Sequence, residues 1–182
     1  MKRLIAAGAL VLAGLVPAAA QQAADPQNTI LLDTKDGRVT IRLRPDLAPK
    51  HVEQIKTLTK QGFYNGVVFH RVIDGFMAQT GDPTGTGTGK SSLPNIPAEF
   101  TQTQYKRGSV GMARSQSPDS ANSQFFICYD GCGPLTGQYT LFGEVVSGMD
   151  VVDKIKKGNQ AANGMVSNPD KIVKMQLAAD AR

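Results

Sequence analysis

The sequence predicts a mostly β domain with two helices, arranged as an antiparallel barrel or sandwich with helical caps. The chain has 182 residues, about the length of one domain, and its 19 glycines and 10 prolines favour frequent turns over a helical bundle. About eight short apolar segments are separated by glycine-containing turns, and most connections between them contain no helix, which argues against alternating βαβ units. The 41% hydrophobic content is typical of a packed globular protein and excludes a disordered tail.

The N-terminus has the pattern of a secretory signal peptide. Lys2 and Arg3 precede an uncharged apolar run at 4–16, and Pro17 and small residues follow, so cleavage is expected after Ala20. A membrane anchor is the weaker alternative, because a run of about 13 residues is short for a bilayer that needs about 20. No later segment of the sequence reaches the length of a membrane span.

This pattern sets the expected domain organisation and location. Residues 1–20 form the signal peptide, 21–27 a flexible N-terminal stub, and 28–182 one folded domain in the periplasm. Without Lys2 and Arg3 the formal net charge falls from +5 to +3 (5 − 2 = 3). The remaining basic residues are scattered rather than gathered on one face, which argues against nucleic-acid binding.

Turn chemistry and periodicity predict the first hairpin and the first helix. Segments 29–33 and 38–43 are predicted strands, and the turn between them contains an Asp-Gly pair. A helix is predicted at about 48–61, because Pro49 suits a first turn and Gly62 follows the last apolar position.

A second helix and six further strands complete the predicted domain. The helix runs from about 149 to 157 and ends before Gly158. The strands are predicted at 67–72, 76–80, 109–113, 124–128, 141–146 and 172–177. Two long loops at 83–97 and 115–122 are candidates for function, since long ordered loops in compact domains often are functional.

Several catalytic patterns are incomplete in this sequence. The glycine-rich loop at 85–91 lacks the glycine of a phosphate loop at Thr84 and the third glycine of a dinucleotide fingerprint at Lys90. His51 and His70 are the only histidines and lack metal-binding spacing. We therefore expect no metal and no cofactor.

The histidines and cysteines are assigned structural positions. His51 is expected at the surface, on the polar side of the first helix. His70 is expected to be structural, pointing to the opposite face of its strand from Arg71. Cys128 is expected to be a core thiol, and a disulfide with Cys132 after export is an alternative that spacing does not decide.

Two segments, 68–82 and 122–128, contain the residues with most chemical interest. The first predicts a hairpin in which Arg71 and Gln79 lie on neighbouring strands beside large apolar side chains. The second adds another glutamine and two phenylalanines. Two interpretations stay open from the residues alone, a shared pocket or phenylalanines in the core with a surface Arg71.

These segments resemble the signature regions of the cyclophilin-type peptidyl-prolyl cis/trans isomerases. The similarity extends to 108–113, to 138–146 and to the helix after Gly148, and covers nearly all of the expected mature chain. The resemblance implies a closed eight-stranded antiparallel β-barrel capped by two α-helices. It also implies catalysis of rotation about X–Pro peptide bonds.

The resemblance assigns site residues one by one. It implies catalytic roles for Arg71, Gln79 and Phe126. It implies substrate-binding roles for Phe76, Met77, Ala113, Arg114, Gln124, Leu135 and Tyr139. Arg114 stands where asparagine is frequent in the family, and Tyr139 where histidine is frequent.

The resemblance also indicates partners. The implied substrates are proline-containing exported polypeptides, whose folding the enzyme would assist. Independently of the resemblance, a monomer is the simplest expectation, because the sequence shows no long amphipathic extension. Pro134 stands where many eukaryotic members carry tryptophan, so weak cyclosporin binding is expected. The alternative function is a chaperone that binds proline-containing segments without useful turnover. Retention of Arg71 together with Gln79 and Phe126 favours the enzyme, because a binder needs the apolar pocket but no hydrogen-bond donor for a twisted amide.

Overall fold

A computed structural model describes residues 25–181, in which eight antiparallel strands form one strongly curled sheet. The strands are β1 (Thr29–Thr34), β2 (Gly37–Leu43), β3 (Arg71–Ile73), β4 (Met77–Thr80), β5 (Ser109–Met112), β6 (Phe125–Cys128), β7 (Leu141–Ser147) and β8 (Lys174–Leu177). Their order is β3-β4-β6-β5-β7-β2-β1-β8. The predicted signal peptide lies outside the described residues, and the predicted stub overlaps a 3-10 turn at Pro26–Asn28 that is capped by Asp25.

The prediction of a closed barrel is wrong, because β3 and β8 are the two edges of an open, half-barrel sheet. Between these edges the chain makes an isolated bridge, Val68 with Lys171, rather than a ladder. The predicted strands at 67–72 and 172–177 are correspondingly short, since regular pairing begins only at Arg71 and Lys174. Irregular backbone bonds such as that from the Phe69 N–H to the Asp170 carbonyl, 2.8 Å, replace regular pairing there.

Helix α1 (Pro49–Lys60) agrees with its prediction and buries one face against the sheet. Val52, Ile55 and Leu58 pack into the interior, as their spacing indicates. Ala48 offers no side-chain cap, and Glu99 from a distant loop instead accepts hydrogen bonds from the Lys50 and His51 backbone N–H groups.

The expected surface position of His51 is wrong. Its side chain is fully buried, and Nδ1 lies 2.6 Å from a Glu99 carboxylate oxygen. Burial lowers the pKa of His51, and the neighbouring carboxylate acts in the opposite direction. The long-range contact with Glu99 therefore overrides the polar position that the helix pattern assigned to this residue.

Helix α2 (Met149–Lys154) ends three residues before its predicted end at 157. Ile155 leaves the helical conformation, and the chain beyond it bonds to other parts of the molecule. The Lys156 N–H donates to the Asp170 carboxylate, and the Gly158 N–H donates to the Val72 carbonyl. These tertiary bonds replace the last predicted helical turn.

Alternate side chains of β4 and β6 point to two separate apolar clusters. Ala78 and Phe125 belong to the large interior cluster, which α1 and α2 cover. Met77 and Phe126 belong to a smaller cluster on the other face of the same strands. Cys128 is buried in this smaller cluster. Among the described residues, no helix is long and apolar enough to cross a membrane.

The two cysteines form a disulfide, so the expectation of a free Cys128 is wrong and the alternative is confirmed. Cys132 follows β6 in the 3-10 segment Asp130–Leu135, and both sulfurs are buried. The disulfide joins the end of β6 to the segment that carries Leu135.

Candidate active site

The pairing of β3, β4 and β6 brings the three residues expected to be catalytic together. Arg71 lies opposite Gln79 in the β3–β4 pair, and Gln79 lies opposite Phe126 in the β4–β6 pair. The predicted hairpin of β3 and β4 is confirmed, with Gly75 at a φ of 70° in the turn between them. The three side chains share the face with the smaller apolar cluster.

A cleft of about 220 Å³ lies over this cluster. Nine of the ten residues expected in the site line it: Arg71, Phe76, Met77, Gln79, Ala113, Arg114, Phe126, Leu135 and Tyr139. The tenth, Gln124, lines a second, polar cleft of about 470 Å³ that also contains Gln79, Ala113 and Arg114. The structure therefore brings all ten residues to two adjoining clefts.

The apolar part of the cleft is built around the Phe126 ring. Tyr105 stacks on this ring at 6.0 Å between centroids, and Tyr139 meets it edge-on at 5.9 Å. Gly111 on β5 makes room for the ring, because a Cβ there would overlap both Tyr105 and Phe126. Met77, Phe76 and Leu135 pack around the same cluster, which leaves an apolar recess at the surface.

The guanidinium of Arg71 is held on two sides. Nη1 donates to the Gln79 side-chain oxygen at 3.1 Å. Nε donates to the Asn163 backbone carbonyl and Nη2 to the Asn163 side-chain oxygen, both at 3.0 Å. Burial lowers the pKa of Arg71, although a guanidinium stays charged at physiological pH. None of these partners is an anion, so Arg71 brings an uncompensated positive charge to the edge of the apolar recess.

Gln79 and Gln124 extend this arrangement into the second cleft. The Gln79 Nε2 group donates to the Gln124 side-chain oxygen at 2.9 Å. Because Gln79 accepts from Arg71 and donates to Gln124, both ends of its amide are used.

Arg114 lines both clefts. Its guanidinium lies 4.5 Å from the Tyr139 ring centroid and 5.8 Å from that of Phe100. It also donates to the backbone carbonyls of Gln138 and Ser115. These contacts hold the positively charged guanidinium of Arg114 in place beside the apolar recess.

Sequence reasoning missed four residues around the cleft. His70, Gly87 and Met165 line it, and Asn163 orients Arg71. His70 was expected to be structural and to point away from Arg71. It is buried against the loop that carries Gly87, as a structural residue would be, but it also lines the cleft. The length of that loop could have indicated that Gly87 lies near the site. Asn163 and Met165, by contrast, lie far along the chain and belong to no motif.

The family model for the cyclophilin type peptidyl-prolyl cis-trans isomerase/CLD matches residues 29–177. The chain belongs to the cyclophilin-type peptidyl-prolyl cis-trans isomerases. It is 56% identical to a probable peptidyl-prolyl cis-trans isomerase of Brucella suis, over 98% of this chain and 96% of the relative. It is also 43% identical to a peptidyl-prolyl cis-trans isomerase of Helicobacter pylori, over 70% of this chain and 80% of the relative.

Solved cyclophilins have the same fold. A cyclophilin from Hirschia baltica matches with a TM-score of 0.77 at 28% identity, over 87% of this chain and 77% of that one. A cyclophilin type isomerase from Cryptosporidium parvum, crystallised in the presence of the dipeptide Ala-Pro, matches with a TM-score of 0.74 at 28% identity. That match covers 82% of this chain and 98% of the other. The isomerase activity expected from the sequence is therefore supported by family, relatives and fold together.

Proposed function

We propose that the cleft beside Arg71 is the catalytic site at which this isomerase rotates X–Pro peptide bonds of exported polypeptides. The observation that carries the proposal is the pairing of a charged, oriented donor with an apolar recess. Arg71 is fixed by Gln79 and Asn163 at the edge of the recess around Phe126. The solved relative crystallised with Ala-Pro supports a proline-containing ligand.

Rotation about an X–Pro bond needs no bond cleavage and no proton transfer. The barrier is about 18–20 kcal/mol, because amide resonance is lost in the twisted state. In that state the proline nitrogen becomes pyramidal and gains a lone pair. A guanidinium N–H aimed at this nitrogen forms a hydrogen bond only near the transition state, which is the differential binding that catalysis requires. Arg71 is placed to be this donor.

The remaining residues are assigned to holding the substrate. The recess formed by Phe76, Met77, Phe126 and Leu135 takes the proline ring. Gln79, Gln124 and the Ala113 backbone hold the polypeptide on one side of the rotating bond. A charge-assisted hydrogen bond supplies about 1.5–3 kcal/mol, so positioning and partial removal of water must supply the rest of the acceleration.

Export and the working compartment belong to the same proposal. The leader at 1–20 has the composition of a secretory signal. The Cys128–Cys132 disulfide supports an oxidising compartment, where such bonds persist. These two features support our proposal that the enzyme acts in the periplasm on proline-containing exported chains. We also propose that it acts as a monomer and, because Pro134 stands where many members carry tryptophan, that it binds cyclosporin weakly.

Exchange spectroscopy on a short Ala-Pro-Phe peptide tests the proposal. The residue 21–182 protein should accelerate cis/trans exchange, and Arg71→Ala should lower kcat/KM by about 10- to 150-fold, the equivalent of one charge-assisted hydrogen bond. Arg38→Ala is the matched control, since it removes an arginine from an exposed ion pair with Asp33. Its activity should equal that of the wild type.

The other outcomes separate the alternatives. Peptide binding without faster exchange would favour a proline-binding chaperone. Equal exchange by wild type and Arg71→Ala would keep the isomerase and remove Arg71 as the donor.

A further inference from the structure

A buried carboxylate outside the cleft organises the glycine-rich loop that follows β4. Asp82 is 1% exposed, and its carboxylate accepts four hydrogen bonds from this loop. Oδ1 accepts from the Thr84 N–H at 2.7 Å and the Thr84 hydroxyl at 2.8 Å. Oδ2 accepts from the Gly87 N–H at 2.6 Å and the Gly89 N–H at 3.1 Å. The loop is thus folded around one acidic side chain.

The charge on Asp82 is stable under physiological conditions. Burial by itself raises the pKa of this carboxyl, but the hydrogen bonds from Thr84, Gly89 and Gly87 outweigh it and lower the pKa to about 2. Gly89 fits closely here, because a Cβ at this position would overlap the Asp82 carboxylate. Asp82 is therefore ionised near neutral pH, where both of its oxygens accept hydrogen bonds.

The folded loop turns two backbone carbonyls toward the second cleft. The Gly87 and Gly89 carbonyls accept from Gln124 Nε2 at 3.1 and 2.8 Å. A carbonyl only accepts hydrogen bonds, so Gln124 must present its NH₂ group to the loop. Its side-chain oxygen is then forced to face Gln79.

The orientation of Gln124 in turn fixes the orientation of Gln79 beside Arg71. Gln79 donates its own NH₂ group to the Gln124 oxygen at 2.9 Å, which leaves its oxygen for Arg71 Nη1 at 3.1 Å. If Gln124 turned over, Gln79 would turn over as well, and its NH₂ group would face the guanidinium. Two donors would then meet, and Arg71 would lose one of its fixed partners.

We propose that Asp82 is a positioning residue, which acts through the loop and the two glutamines to set the orientation of the Arg71 guanidinium. The inference rests on the proposed role of Arg71 as the donor to the rotating amide. Asp82 lines neither cleft, and it is linked to Arg71 by a series of hydrogen bonds through Gly87, Gln124 and Gln79.

Asp82→Asn is the direct test, because it keeps the size of the side chain and replaces one accepting oxygen with an NH₂ group. That group would face two donors, either from Thr84 or from Gly87 and Gly89, and the loop carbonyls would lose their alignment. Exchange spectroscopy on the Ala-Pro-Phe peptide should give a kcat/KM about 10-fold below the wild type.

A double-mutant cycle with Gln124→Ala distinguishes positioning from general loosening. If Asp82 acts through Gln124, Asp82→Asn should lower kcat/KM by less than about twofold in the Gln124→Ala background. The side-chain amide resonances of Gln79 and Gln124 should shift in Asp82→Asn. Ser92→Ala, which changes an exposed serine farther along the same loop, should leave both the resonances and the activity unchanged.

Equal losses in the two backgrounds, or an Asp82→Asn enzyme as active as the wild type, would overturn the proposal. If Asp82→Asn does not fold, Thr84→Ala repeats the cycle, since it removes one hydroxyl donor from Asp82 and leaves the carboxylate. A loss of kcat/KM that occurs only when Gln124 is present supports the proposal, and equal losses in the wild-type and Gln124→Ala backgrounds overturn it. Failure of the wild type to accelerate exchange would instead overturn the proposed function.

Discussion

The two faces of β4 and β6 have different roles, although they share the same backbone. In β6, Phe125 is buried in the interior cluster, where its ring meets Tyr64 and Phe142 edge-on. Phe126, the next residue, lies in the smaller cluster under the cleft beside Tyr105 and Tyr139. The alternation of side chains across a strand therefore separates a face that stabilises the fold from a face that forms the candidate site.

Burial alone does not identify the site. Phe125 and Phe126 are 1% and 4% exposed, so the two rings are nearly equally buried. The two rings differ in their neighbours, since only Phe126 lies opposite Gln79 and borders a cleft that contains Arg71. The two faces should accordingly be separable by mutation.

The largest expected effect comes from truncating the two phenylalanines in turn. Phe125→Ala should lower the free energy of unfolding by about 3–5 kcal/mol, because it leaves a cavity in the interior cluster. Its kcat/KM per folded molecule should stay near the wild-type value. Phe126→Ala should lose less stability, because the cleft opens onto the vacated space, and should lose most of its activity. Urea unfolding and peptide exchange on the same samples measure both quantities. Equal losses of activity in the two variants would show that the faces are not independent.

Removal of the disulfide should lower stability and activity together, because the disulfide lies on the cleft face. In the chain-entropy description, cross-linking a loop as short as 128–132 raises the free energy of unfolding by about 2 kcal/mol. Tyr129 and Gly131 donate backbone hydrogen bonds to Phe76 and Gly75, so loosening this loop should also disturb the recess. We expect the Cys128→Ala, Cys132→Ala double variant to unfold at lower urea and to have a raised KM.

Wild-type protein treated with a reductant is the control for the cysteine substitutions. It should resemble the double variant in both measurements, since it lacks the cross-link but keeps the side chains. Full activity after complete reduction would contradict the coupling between the disulfide and the recess.

The smallest expected effect depends on pH and arises at His51 on α1, the helix that covers the interior cluster. Burial lowers the pKa of His51, so the unfolded chain takes up a proton before the folded protein does. The free energy of unfolding should therefore decrease as the pH falls below about 6.5, the ordinary value for histidine. His51→Asn keeps a donor for Glu99 and removes the titrating group, so this dependence should weaken between about pH 7 and pH 5.

Some dependence should remain in His51→Asn, because burial also lowers the pKa of His70. Thermal unfolding at several pH values measures the difference between the two proteins. Glu99 does not confound this window, because its pKa is lowered and its contribution is lost only under more acidic conditions. An unchanged slope in His51→Asn would show that His51 does not titrate differently on folding.

Much of the fold could be predicted from local sequence patterns, and the candidate site from the family resemblance. The β1–β2 hairpin, α1, the β3–β4 hairpin and the central positions of the strands follow from turn residues and periodicity. The ten site residues were assigned by resemblance, and the structure brings all of them to two adjoining clefts. The residues added by the structure, Asn163 and Met165, reach the cleft through long connections that no local pattern describes.

The sequence alone was sufficient for features that depend on neighbours along the chain, such as which strand residues alternate and where helix α1 begins and ends. The tertiary structure decided the features that depend on distant partners. It left the sheet open between β3 and β8, paired the two cysteines, and buried His51 against Glu99, 48 residues away. The physical reason is that a local pattern records how a residue suits its own helix or strand. The free energy of a buried polar group or of a sheet edge depends on the group that the rest of the chain brings to it.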